Sequence, residues 1–141
     1  MGGCEMSRRR SGKQPPKSDY FAALNANDHY GTIFHSMVTS PQYNALSVGA
    51  RHFYTLCRVQ AQSEDGRRCL YQRTQQTGIT TEAGWFVFPA KHLERCWVDR
   101  SSASRWFKEL EKHGFIECIQ RGKHNFSVNV YRFSDKWKNT S

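Results

Sequence analysis

The sequence has no long apolar run, and no stretch approaches the roughly 20 residues that a membrane-spanning helix requires. The first residues also lack the apolar segment of a secretory signal peptide. Met1-Gly2-Gly3-Cys4 has the start of a lipidation signal, but Met6 stands where that signal has Ser or Thr. We therefore expect no membrane span and a cytoplasmic location.

Cysteine is present without a pattern. The five cysteines are odd in number, widely spaced and contain no C-x-x-C pair, which excludes the common zinc-finger and redox motifs. His92 and Cys96 are four residues apart, but a metal site there needs two further ligands that have no evident source. The pattern favours reduced thiols, no metal and no cofactor.

Motifs of catalysis are missing as well. The chain has no G-x-S-x-G, no glycine-rich phosphate loop and no H-E-x-x-H, and its aspartates are scattered without the spacing of a metal-dependent nuclease. We expect a protein that is not an enzyme and has no catalytic residues.

Positive charge is what the chain has in excess. Lys plus Arg number 21 against 12 Asp plus Glu, a formal net charge of +9. The first nineteen residues hold five basic and two acidic residues, which leaves +6 for the remainder. Such a balance attracts polyanions, nucleic acid first and anionic membrane second. On charge alone, a basic protein without a particular partner is as good an interpretation.

The chain divides into an arm and one domain. Residues 1–19 are rich in Gly, Ser, Arg, Lys and Pro and predict a flexible basic arm. Residues 20–141 are long enough for one core, and the aromatic fraction of 13% supports a folded domain. Within it, the glutamine-rich and threonine-rich segment at about 64–83 predicts a long loop, with a short helix in it as an alternative.

Helix starts are marked in the first half of the domain. Ser40 before Pro41, and later Ser47, have the residue types of N-caps. A helix over about 48–62 follows the second cap, because its apolar residues share one helical stripe: Ala50, Phe53, Tyr54, Cys57 and Ala61.

The second half predicts a strand, two helices and a hairpin. An aromatic strand at 85–88 is followed by a helix over 90–96, a short turn, and a helix over 100–113 that Asp99 caps. The buried stripe of this second helix is Ala103, Trp106, Phe107 and Leu110.

Two strands, at 115–120 and 126–133, are joined by a link that contains Gly122. In the second strand, Phe126, Val128, Val130 and to a lesser extent Arg132 alternate with Ser127, Asn129 and Tyr131. This order predicts an α+β, mostly helical fold: a winged helix-turn-helix with a C-terminal β-hairpin wing.

The face opposite the buried stripe predicts the function. Its first two turns contain only cations and hydroxyls, whereas a solvated helix normally mixes charges of both signs. Arginine can bind guanine or phosphate, and serine can reach either bases or phosphates, so this helix suits the major groove of double-stranded DNA. The recognition-helix residues are Arg100, Ser101, Ser102, Ser104, Arg105 and Lys108, and those of the wing are Arg121, Lys123 and His124.

A resemblance supports the same interpretation. The segment from Val98 to Ile116, with its Glu-Leu-Glu-x-x-Gly-Phe-Ile ending, resembles the recognition helix and first wing strand of bacterial winged helix-turn-helix proteins. Ser40-Pro41 and Phe86-Val87-Phe88-Pro89 are similar to small winged-helix proteins of plasmids and conjugative elements. The resemblance implies sequence-specific DNA binding in replication, conjugative transfer or transcription regulation of a mobile genetic element.

Two other interpretations stay open. A winged helix can serve as a protein-interaction adaptor within a replication or transfer complex, with an incidental basic face. RNA binding is the other, because Phe126 and Tyr131 could stack on bases, although Phe126 is better explained as core. A homodimer and other replication or transfer proteins are the further partners considered.

Overall fold

The computed structural model describes residues 31–122 and 129–139. Its helices are α1 (His35–Val38), α2 (Pro41–Asn44), α3 (Val48–Gln62) and α4 (Glu64–Thr77), then, after strand β1 (Trp85–Phe86), α5 (Ala90–Arg95) and α6 (Arg100–Lys112). Strands β2 (Ile116–Gln120) and β3 (Val130–Phe133) follow, and a 3-10 turn covers Lys136–Asn139. The described residues are therefore α+β and mostly helical, as the sequence predicts.

The three predicted helix caps are present. The side chains of Ser40, Ser47 and Asp99 each accept a hydrogen bond of 3.1 Å from the backbone N–H three residues further on. Each bond satisfies a donor that the first turn of a helix leaves unpaired. The starts of α2, α3 and α6 are thus encoded locally.

The predicted loop at about 64–83 is wrong over most of its length, because α4 occupies Glu64–Thr77. Ser63 ends α3 and also caps α4, accepting a 3.0 Å hydrogen bond from the backbone N–H of Gly66. A Cβ at position 66 would collide with the carbonyl oxygen of Gln60, so the two helices meet this closely only with glycine there. The sequence does not predict α4 because its composition is polar and the helix buries little apolar surface.

The sheet has the strand order β1-β3-β2, and both pairings are antiparallel. The predicted alternation in β3 holds for the direction of its side chains but not for their burial, because Val130 and Tyr131 are both buried and Arg132 is exposed. Val130 packs with Leu70 of α4 on one face of the sheet, while Tyr131 belongs to the main core on the other. A sheet covered on both faces buries successive residues. Phe126, Ser127 and Val128 lie outside the described residues.

The main core places α6 against α3. Phe53 of α3 makes an edge-to-face contact with Phe107 of α6 at 4.8 Å between ring centroids, and Phe107 stacks on Tyr131 at 4.4 Å. Ala103, Phe107 and Leu110 are buried as predicted, whereas Trp106 is half-buried. The stripe leaves the opposite side of α6 to solvent. No helix in the described part of the chain is long and apolar enough to cross a membrane.

Candidate nucleic-acid interface

Three residues separate α5 from the cap of α6. The backbone N–H groups of Trp97 and Val98 donate to the carbonyl oxygens of Glu94 and Leu93, both at 3.1 Å. These two bonds form the Schellman motif that closes many helices, and Trp97 is its left-handed residue, with φ 61°. Val98 is buried beside Leu93, whereas the side chain of Trp97 is 95% exposed. The turn is therefore tight, and the side chain of its left-handed residue, Trp97, is exposed to solvent.

Asp99 occupies the N-terminus of α6. Its Oδ2 accepts hydrogen bonds from the hydroxyl of Ser101 at 2.6 Å and from the backbone N–H of Ser102 at 3.1 Å. These bonds to Ser101 and Ser102 hold the pKa of Asp99 well below its usual range. Because an ionised carboxylate already lies there, an incoming anion has to be bound by side chains further along the helix. Ser101 must also release Asp99 before its hydroxyl can donate to a base.

The most exposed side of α6 is a stripe of four residues, at offsets 0, 4, 7 and 11 from the first. They are Ser101, Arg105, Lys108 and Lys112, and all four are exposed. Lys112 is not among the predicted residues, because a lysine in the last turn of a helix is also favoured by the helix dipole. Its spacing of four residues from Lys108 was the available signal.

The other predicted residues flank this stripe. Arg100 is exposed and Ser104 half-buried on the flank that they share with Glu111. Ser102 is half-buried on the opposite flank, where its hydroxyl accepts a 3.1 Å hydrogen bond from the guanidinium of Arg105. The structure therefore brings all six predicted residues of the recognition helix onto one broad outer surface.

Both acidic residues of α6 are used within the protein. Glu109 accepts hydrogen bonds from the backbone N–H and the hydroxyl of Ser47, and Glu111 pairs with Arg121 at 2.9 Å. Among residues 31–122 and 129–139, no carboxylate forms an ion pair with the four cations of α6: Arg100, Arg105, Lys108 and Lys112. Carboxylates do pair with other exposed cations, namely Arg68, Arg95, Arg132 and Lys136. Four exposed cations without a carboxylate partner in the described chain thus share the outer surface of one helix.

At the base of the predicted wing, Arg121 forms an ion pair with Glu111. This side chain is exposed, but the carboxylate of Glu111 offsets its charge, so it is less available to a phosphate than the cations of α6. The adjacent Gly122 donates a 2.6 Å backbone hydrogen bond to Asn129, whose amide donates to the hydroxyl of Tyr131. Lys123 and His124 lie outside the described residues.

His92 and Cys96 do not come together with further ligands. Within the described ranges, no three His, Cys, Asp or Glu side chains are placed to hold a metal ion. His92 is buried, with Nδ1 2.8 Å from the amide nitrogen of Gln60 and Nε2 3.8 Å from the sulfur of Cys69. Burial lowers the pKa of His92, which makes it a neutral hydrogen-bonding residue of the core.

Comparison with known proteins adds no family: the chain matches no known protein family, no curated protein and no solved structure.

Proposed function

We propose that this chain is a double-stranded DNA-binding protein with a winged helix-turn-helix domain. The order of elements supports this proposal, because α5 and α6 lie in sequence between β1 and β2, and β3 pairs between these two strands. The three-residue turn between α5 and α6 has the length of a helix-turn-helix corner. In this proposal α6 is the recognition helix, and β2 and β3 carry the wing.

The observation that carries the proposal is the outer face of α6. Its cations are exposed and without carboxylate partners in the described part of the chain, while both acids of the helix are bound elsewhere. Duplex DNA presents two negative charges for every base pair, so a face of this kind gains by releasing counterions from it. A helix that only faces solvent does not require its acidic side chains to be bound by other parts of the protein.

The length of the stripe suggests a division of roles. At 1.5 Å per residue, Ser101 and Lys112 are about 16 Å apart along the helix, more than the roughly 12 Å width of the major groove. With the N-terminus of α6 in the groove, Arg105 reaches guanine O6 and N7, and Ser101 and Ser104 reach base edges or phosphates. Lys108 and Lys112 then bind backbone phosphates, and Lys123 and His124 contact the backbone or minor groove from the wing.

Selection of bound duplexes from a random pool tests the proposal directly. The selected duplex is then used in a shift assay with wild type and Arg105→Ala, which should lose about 1–3 kcal/mol of discrimination while keeping the fold. Arg68→Ala is the matched control, because Arg68 is an exposed arginine on α4 that pairs with Glu64 and Asp65. A wild-type protein that ignores every duplex in dilute buffer refutes the proposal.

The biological process is a further part of the proposal. The resemblance to small winged-helix proteins of plasmids and conjugative elements favours replication, transfer or transcription regulation of a mobile genetic element. An adaptor role predicts the opposite behaviour to DNA binding: a stable protein partner and no salt-sensitive interaction with duplexes.

A further inference from the structure

Trp97 stands at a position that disfavours it. As the left-handed residue of the turn between α5 and α6, with φ 61°, it occupies the place where glycine is usual. Bulky side chains rarely adopt this conformation, because Cβ crowds the backbone. Glycine would make the same two backbone hydrogen bonds without that crowding.

Packing does not explain the residue either. The side chain is 95% exposed, and it takes part in no hydrogen bond or ring contact with the rest of the described chain. A bulky side chain that is held in an unfavourable backbone conformation and packs against nothing in the described chain is typical of a functional position. Exposure and backbone strain together single out Trp97 as a candidate contact residue for another molecule.

The position in the fold indicates which molecule. Trp97 lies two residues before the cap of α6 and three residues before Arg100 in the chain, at the helix end proposed to enter the groove. From α5 through the turn to α6, a segment described throughout, Trp97 is the one large exposed apolar side chain. A protein-binding patch needs several such side chains together. A lone indole just before a helix that carries exposed cations suits a partner that is itself polar and anionic.

We propose, on the basis of the proposed function, that Trp97 is part of the DNA interface and packs its indole against apolar carbons of the duplex. Two sources offer such carbons, the 5-methyl groups of thymine in the major groove and the deoxyribose rings of the backbone. Both allow the indole N–H to donate to a polar atom of DNA, as this amphipathic side chain prefers. Trp97 thereby extends the binding surface beyond the first residue of α6.

The test compares Trp97→Gly and Trp97→Phe with wild type on a duplex that the wild type selects from a random pool. Trp97→Gly should raise the melting temperature by about 4–8 °C, since it relieves the left-handed strain. The same variant should weaken DNA binding about tenfold, as expected for the loss of a buried large apolar side chain. Trp97→Phe should retain most of the affinity. Tyr71→Ala, which removes an exposed aromatic from α4, should leave binding unchanged.

Replacing thymine by deoxyuridine in the same duplex separates the two sources. If wild type loses affinity and Trp97→Gly does not, the indole contacts a thymine methyl group; if neither responds while Trp97→Gly still binds weakly, it contacts deoxyribose. Wild-type affinity in Trp97→Gly overturns this inference but leaves the proposed function intact, and altered sedimentation without altered DNA binding does the same. A wild-type protein that binds no duplex overturns both.

Discussion

Glu109 in α6 is bound to Ser47 at the start of α3, with its two carboxylate oxygens 2.7 Å from the backbone nitrogen and 2.8 Å from the hydroxyl oxygen. The same hydroxyl accepts the capping hydrogen bond from Ala50. One carboxylate therefore fixes α6 to the N-terminus of the central helix, where the helix dipole also favours a negative charge.

Glu109→Ala should lower the free energy of unfolding by about 1 kcal/mol, because it removes charge-assisted hydrogen bonds that remain partly accessible to water. Chemical denaturation measures the effect. Glu82→Ala is the control, since Glu82 is exposed and its side chain forms no hydrogen bond with the described residues. Equal midpoints for wild type and Glu109→Ala would show that the contact contributes nothing.

Lys112→Ala should weaken binding to all duplexes alike and reduce the slope of log affinity against log salt by about 1, because one phosphate contact is lost. Titrations of wild type and variant at four salt concentrations give the two slopes. Lys138→Ala should leave the slope unchanged, because Lys138 is an exposed lysine of the 3-10 turn Lys136–Asn139 and not of α6. A change that depends on DNA sequence would instead place Lys112 against a base.

Glu111→Gln should raise the affinity for duplex DNA several-fold at low salt, because it removes the carboxylate that pairs with Arg121 at 2.9 Å. Arg121→Ala in the wild-type background should have a smaller effect than Lys112→Ala, since the charge of Arg121 is already offset. Shift assays on one duplex at constant salt rank the three variants. Glu111→Gln binding more weakly than wild type would mean that the ion pair positions the wing.

The stability of the protein should depend on the protonation of His92. The amide nitrogen of Gln60 donates to the carbonyl oxygen of Val87 at 3.0 Å and lies 2.8 Å from Nδ1 of His92, which must then be the acceptor. A proton on Nδ1 would place two donors against each other. Burial, with the nearby Arg95, keeps the pKa of His92 below its ordinary value of 6.5.

The unfolded chain therefore binds a proton near pH 6.5 that folded His92 does not. Stability should fall as the pH drops below about 6.5, and this contribution ends below the lowered pKa of the folded state. Denaturation of wild type and His92→Gln at several values between pH 7.5 and 5 measures it. The variant should show a smaller loss over this interval; the same loss in both proteins would assign the pH dependence to other groups.

Local signals in the sequence predict much of the fold. Ser40, Ser47 and Asp99 are recognisable as caps because each bonds a backbone group three residues away, and the period of α6 reveals its buried side. The helix α4 escaped prediction because its sequence is polar and because Ser63 both ends α3 and begins α4. The second buried face of β3 escaped prediction for the same reason, since α4 covers it.

The candidate site could likewise be predicted only in part. The exposed cations of α6 follow from helical periodicity alone. The partners that bind the two acids of α6 cannot be predicted in this way. Ser47 is 62 residues from Glu109 in the chain, and Arg121 lies outside the helix that contains Glu111. The left-handed conformation of Trp97 was equally hidden, since nothing in its residue type predicts it.

Gly49 in the first turn of α3 lies directly beneath the indole of Trp106, so closely that a Cβ there would come within 2.5 Å of the ring. At this point Trp106 of α6 packs against bare backbone, and a side chain at position 49 would force the indole to shift. If α6 is the recognition helix proposed above, the distance by which it projects towards a groove depends on the absence of a side chain at position 49, on the opposite side of α6 from its exposed stripe.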